Sequence, residues 1–155
     1  MKQVDFYLIS NQVADAKFKL ASRLSNKLQR IEQRSLVVTN DSSETDKLDA
    51  IMWSFSDTSF LAHDKLPTQD SPAPTGSNID IAAKIGDQNS IDADVLAQDF
   101  DVLINLSDQV PVFNHHFARI AEIVEQSEGA KAIARARYQR YKDEGFELKT
   151  HEIEL

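Results

Sequence analysis

The chain has 155 residues, is 41% hydrophobic and carries a formal charge of −8 at pH 7, enough apolar material for one buried core and hence for a single domain over residues 1–155. Its acidity excludes a general nucleic-acid coat, which needs a broad basic footprint. Cysteine is absent, which excludes a disulfide framework and thiolate metal sites.

The first run, Val4 to Ser10, is apolar and rich in β-branched and aromatic residues, as a buried strand requires. Val13, Ala16, Leu20, Leu24, Leu28 and Ile31 follow at helical spacing. Ser35 to Thr39 reads as a second strand. Asp41 and Glu44 then have the spacing of a capping box, ahead of an apolar stripe at Leu48, Ile51, Met52 and Phe55. This βαβα opening predicts an α/β fold with a mostly parallel sheet and helices on its faces. Asp64 to Asn78 holds three of the four prolines and reads as an irregular loop. Beyond it, Ile79 to Ile85 alternates like a strand and Asp101 to Leu106 resembles a buried one. Phe117 to Glu125 fits strand or helix, and strand is favoured. Ser127 suits the N-cap of a last helix reaching about Glu144 and stopped by Gly145, with an edge strand at Glu147 to Leu155. The N-terminal MKQVDFYLIS lacks a signal-peptide pattern, and no apolar run approaches the roughly 20 residues that cross a bilayer, so a soluble, cytoplasmic protein is expected, with no membrane contact.

Several chemistries lack their residues. The turn after the first strand is Ser10, Asn11, Gln12, with no glycine to let backbone approach a phosphate. The histidines, His63, His115, His116 and His151, do not have the spacing of a helical metal site. Serine never falls in a nucleophile-elbow motif, and the aspartates between Asp92 and Asp101 read as helix caps and solvating charge. No catalytic residue, cofactor or metal is therefore predicted.

Lys131 to Lys142, KAIARARYQRYK, gathers five basic residues and no acidic one. At about 100° per residue, Lys131, Arg135, Tyr138 and Lys142 share one narrow arc, while Ile133, Ala136 and Arg140 point elsewhere. The plain reading is a solvated helix face. Such faces usually mix signs into i, i+4 pairs, whereas cations flanking an aromatic ring suit a small, partly apolar anion such as a terminal carboxylate. Arg137 and Arg140 read as structural or solvating charges. An alternative is a small-anion or nucleotide-binding domain, or an enzyme of similar fold, with the anion held at Lys131, Arg135 and Lys142. Trp53 lies about 140° round the second helix from Leu48. It is either covered by the proline-rich segment or, with Phe60, marks a protein interface.

FYLI at Phe6 to Ile9, KLDAIMWSFSDTSFLAHD at Lys47 to Asp64, DVLINL at Asp101 to Leu106 and ARARYQRYKDEGFEL at Ala134 to Leu148 resemble the chi subunit family of bacterial DNA polymerase III. The likeness covers almost the whole chain and is most specific in the last block. It implies a three-layer α/β/α sandwich of nucleotide-binding-like topology without a phosphate loop. It also implies a noncatalytic clamp-loader accessory subunit that bridges the psi subunit and the C-terminal tail of single-stranded-DNA-binding protein during DNA replication, without contacting DNA directly. By motif position, the tail-binding residues fall on Lys131, Arg135 and Tyr138, with Val124 beside them. The psi-facing aromatics fall on Trp53 and Phe60, a surface for which the family also implies a DNA-repair helicase. The chain departs from the family at Gln139, where lysine often follows the tyrosine.

Overall fold

The computed structural model, which describes residues 2–54, 63–65, 83–87, 91–96, 100–111 and 114–155, joins seven strands in one sheet. They are β1 (Gln3–Ile9), β2 (Ser35–Thr39), β3 (His63–Lys65), β4 (Ala83–Asp87), β5 (Val102–Asn105), β6 (Arg119–Val124) and β7 (Glu147–Ile153), in the order β3-β4-β2-β5-β6-β1-β7. Every pairing between them is parallel. Parallel strands need crossovers, and helices supply several of these: α1 (Ala16–Arg30), α2 (Ser42–Trp53), α3 (Ala93–Leu96) and α4 (Glu128–Asp143). Because both faces of such a sheet are covered, its central strands are apolar on both sides; Leu36, Val37 and Val38 of β2 are all fully buried.

Strand alternation sorts the core into two halves. Phe18, Ala21 and Leu28 of α1 and Leu48 and Met52 of α2 pack on Val37, Ile104 and Ala121. Val95 of α3 and Tyr141 of α4 pack on Val4, Phe6, Leu103, Ile120 and Val124 on the opposite face. The result is the expected three-layer α/β/α arrangement.

The helix ends follow their sequence signals. Asp41 accepts a hydrogen bond from the Glu44 backbone N–H at 2.8 Å, and the Glu44 carboxylate accepts one from the Asn40 N–H at 2.9 Å, so the capping box closes one residue before the cap. Ser127 caps α4 through the Ala130 N–H. The far end of α4 is a Schellman turn: the Gly145 N–H donates to Lys142 O, the Phe146 N–H donates to Tyr141 O, and Gly145 has φ +89°. The accompanying apolar contact is the edge-on pair Tyr141–Phe146, with ring centroids 5.3 Å apart.

The chain departs from the sequence reading in the middle. His63–Lys65 forms a short strand beside β4, so the irregular stretch expected from Asp64 starts within a strand; three polar residues carry no apolar pattern to announce it. The strand expected over Ile79 to Ile85 is observed as Ala83–Asp87, and residues 79–82 lie outside the described residues. The tail does form an edge strand, β7, paired with β1 from Gln3↔Glu147 to Ile9↔Ile153. Among the described residues no helix is long and apolar enough to cross a membrane.

Candidate functional site

In open parallel sheets, nucleotides bind outside the carboxyl ends of the strands. Here protein side chains occupy that region at the turn after β1 and above β5. The turn after β1 is tied to the C-terminal strand: Asn11 Nδ2 donates to Leu155 O at 2.7 Å, and the Leu155 N–H donates to Asn11 Oδ1 at 3.0 Å. The start of α1 holds Asp15, paired with Lys47 at 2.6 Å, which places negative charge where a phosphate would need the positive end of the helix dipole. Above β5 and β6 the buried carboxylate of Glu122 accepts hydrogen bonds from Arg137 (2.7 Å), Tyr141 (2.7 Å) and Asn105 (2.9 Å). Burial raises the Glu122 pKa, and Arg137 with the other donors opposes that rise. Burial and the neighbouring Glu122 push the Tyr141 phenol up, so it stays a donor. About 70 Å³ remains among Lys17, Ser107, Glu122 and Arg137, room for a few waters and not for a nucleotide.

The larger opening lies on the other flank of α4. A groove of about 380 Å³ runs between α4, the ends of β1 and β6, and β7, within the size range of ligand sites. Phe6, Leu8 and Val124 form its floor and Thr150 borders it on β7. From α4, Lys131, Arg135, Ala134 and Tyr138 form its wall. Tyr138 is 40% exposed and leans on Phe6 with ring centroids 5.6 Å apart. Lys131 has a loose ion pair with Glu128 at 3.9 Å, and Arg135 has no hydrogen bond or ion pair among the described residues. An apolar trough with an unengaged guanidinium at its lip can seat an apolar side chain and hold a neighbouring carboxylate by two parallel hydrogen bonds.

The structure thus brings Val124, Lys131, Arg135 and Tyr138 around one groove. Lys142 does not line it: it shares their arc but stands about 16 Å along the helix axis from Lys131 at 1.5 Å per residue. The small-anion alternative loses one of its cations by the same fact. Arg137 is structural, as its Glu122 bond and a second to Ser107 O at 2.8 Å require, and Arg140 pairs with Glu144 at 3.4 Å. Phe6, Leu8, Ile9, Ala134, Thr150 and the acidic Glu125 also line the groove, and the spacing along α4 does not announce them. The alternation of β1 places Phe6 and Leu8 on one face, but nothing in the sequence says that α4 lies over that face.

Trp53 closes α2, off its apolar stripe, and is 61% exposed. Phe60 lies outside the described residues. Among the described residues no cluster of three or more His, Cys, Asp or Glu side chains is arranged to hold a metal ion. His151 instead bonds the buried carboxylate of Asp5 at 3.0 Å.

The family model described as DNA polymerase III chi subunit, HolC, matches residues 1–149. The chain belongs to the DNA polymerase III chi subunit family. Relatives named DNA polymerase III subunit chi are 29% identical in Pseudomonas aeruginosa (99% of this chain, 98% of the relative) and 26% identical in Escherichia coli (97% of each). The one from Haemophilus influenzae is 24% identical over 98% of each chain. Among solved structures, T4 UvsW matches with a TM-score of 0.69 at 8% identity, covering 98% of this chain and 41% of its own; at that identity the likeness concerns fold alone.

Proposed function

We propose that this chain is a noncatalytic, cytoplasmic accessory subunit of the DNA polymerase III clamp-loader complex. It holds the C-terminal tail of single-stranded-DNA-binding protein in the α4 groove and docks the psi subunit on a separate surface around Trp53. Family membership supports the replication role. The observation that carries the tail reading is the convergence of Lys131, Arg135 and Tyr138 on an apolar floor of Phe6, Leu8 and Val124. A tail ending in an apolar residue with a free carboxylate, preceded by acidic residues, has the matching chemistry. Such a ligand also suits an acidic subunit at the replication fork, because the contact is with the coat protein and not with DNA. Gln139 bonds to Asp143 at 2.9 Å and contributes no charge to the arc. The Trp53 surface, which also suits a DNA-repair helicase, is supported by an exposed tryptophan at a helix end.

The test is a titration of a fluorescent peptide bearing the coat protein's acidic C-terminus against wild type and Arg135→Ala. Loss of about tenfold to a hundredfold in affinity is expected, since a charge-assisted bidentate contact contributes roughly 1.5–3 kcal/mol. Equal binding by the variant, or equal binding of a peptide lacking the terminal residue, removes the assignment. Trp53→Ala is expected to leave this binding unchanged and to weaken psi capture.

A further inference from the structure

α1 is as free of acid as the run in α4. From Ala16 to Arg30 it carries Lys17, Lys19, Arg23, Lys27 and Arg30, with no Asp or Glu. Lys17 is engaged by Glu44 at 2.9 Å. Lys27 and Arg30 stand in the last turn, where the helix dipole favours cations. Arg23 is mid-helix and gains nothing from the dipole. Neither Arg23 nor Lys27 has a carboxylate partner among the described residues, in a chain with 25 acidic side chains to draw on.

Both residues border a groove on the α1 face of the sheet, opposite the α4 site. It holds about 170 Å³. Its floor is Tyr7, Ile104, Ala121 and Ile153, which strand register puts on one face of β1, β5, β6 and β7. Leu20 and Leu24 of α1 form the wall, and Ile31, 58% exposed, continues the apolar strip past the helix end. Arg119 rises from β6 at the rim, fixed there by its Nε bond to Asp5 at 3.1 Å. Two cations without a carboxylate partner, and Arg119 in its pair with Asp5, thus border an apolar depression.

Size and charge together select the occupant. The volume lies below the roughly 300–1,000 Å³ of cofactor and small-ligand sites and matches one bulky apolar side chain. Cations at its rim call for acids beside that side chain. We propose that this groove is a second docking site, independent of the α4 groove, for an internal acidic segment of a partner protein. One apolar residue of the segment inserts over Tyr7 and Ala121, and its flanking carboxylates meet Arg23, Lys27 and Arg119.

The experiment uses the full chain and acetylated, amidated peptides in which a central Leu, Ile, Met, Phe or Trp is flanked by glutamates. Amidation removes the terminal carboxylate that the α4 groove would take. Binding is read by anisotropy at low salt and located by backbone amide shifts. At least one peptide is expected to bind, with shifts centred on α1, β1 and β6. Replacing its central residue by alanine should weaken binding about tenfold to a hundredfold. The double reversal Arg23→Glu, Lys27→Glu should weaken it on the order of tenfold with the melting temperature of the exposed-site variant unchanged, and Arg135→Ala should leave it intact. The proposal is overturned if no peptide in the panel binds, if the charge-reversed protein binds equally, if the shifts fall on α4, or if a single-stranded oligonucleotide or a fatty acid shifts the α1 groove and no peptide does.

Discussion

The guanidinium of Arg137 lies 2.7 Å from the carboxylate of Glu122, whose side chain is 1% exposed against 11% for that of Arg137. Tyr141, one turn further along α4, bonds the other oxygen of the same carboxylate. Two anchors at i and i+4 on a single acceptor fix the rotation of α4 about its own axis, not merely its distance from the sheet. That rotation turns Lys131, Arg135 and Tyr138 toward Leu8 and Val124. Arg137, basic in the sequence like its neighbours, therefore serves the groove by holding the helix and not by touching a ligand.

Arg137→Met should cost about 3–5 kcal/mol at neutral pH, because it strands a buried charge. Glu122 then has a folded pKa raised further by burial with its main counter-charge gone. A carboxylate whose folded pKa exceeds its unfolded value contributes stability that is present below about pH 4.3 and lost as pH rises through the folded value. The deficit should shrink as pH is lowered toward that range, and in the double variant Glu122→Gln, Arg137→Met it should be smaller than in the single one at pH 7. Urea unfolding of the set measures both; a pH-independent deficit equal in single and double variants would show that the pair carries no buried charge.

Within the basic arc, height along the helix should decide effect. Lys142→Ala is expected to change peptide affinity less than about twofold, while Lys131→Ala, which removes an exposed charge at the groove, should weaken it about twofold to fivefold at low salt and less at 0.5 M. Titrations at two ionic strengths separate the two residues. Equal losses for both would mean that the peptide runs the full length of α4.

The alternation of strand and helix patterns made the layered fold legible, because apolar period and caps are local properties: Asp41 with Glu44, Ser127 and Gly145 each act within one turn. Helical spacing likewise brought Lys131, Arg135 and Tyr138 together. Spacing says which residues share an arc, but not how far a neighbouring strand extends beneath it, which is why Lys142 was included and Thr150 was not. Tyr141 has the same residue type as Tyr138 and is fully buried; only the unforeseen carboxylate of Glu122 on a central strand explains a tyrosine there. The acid-free run of α1 is as visible in the sequence as that of α4, but a run of bases alone does not say that Arg23 and Lys27 border an apolar depression of the sheet.

Asp5 should govern part of the acid stability. Burial alone would raise its pKa, but hydrogen bonds from His151, Arg119 and Gln3 outweigh burial and leave it below the usual carboxylate value. A lowered folded pKa contributes stability that is present above about pH 3.9 and lost as pH falls through the folded value. Asp5→Asn should cost about 1–3 kcal/mol at pH 7 by unsatisfying buried partners. The gap to wild type should narrow as pH falls below about 4. Chemical unfolding between pH 3 and pH 7 tests this, and a gap that stays constant would remove Asp5 from the acid response.

Gly145 is the place where backbone geometry alone sets the residue. Its φ of +89° is open to glycine and strained for L side chains, yet a Cβ there would meet no atom within 4 Å, so any cost of substitution is conformational and not steric crowding by neighbours. Gly145→Ala should destabilise by roughly 1–2 kcal/mol, lowering Tm by about 3–6 °C for a chain of this length. Gly145→Asn should lose less, since asparagine tolerates positive φ. Because the Schellman turn also orients Phe146 against Tyr141, alanine should loosen the end of α4 that holds Glu122. Amide exchange at Phe146, whose N–H is bonded to Tyr141 O at 3.0 Å, should accelerate in the alanine variant before global unfolding; unchanged protection there with a lowered Tm would place the strain elsewhere in the chain.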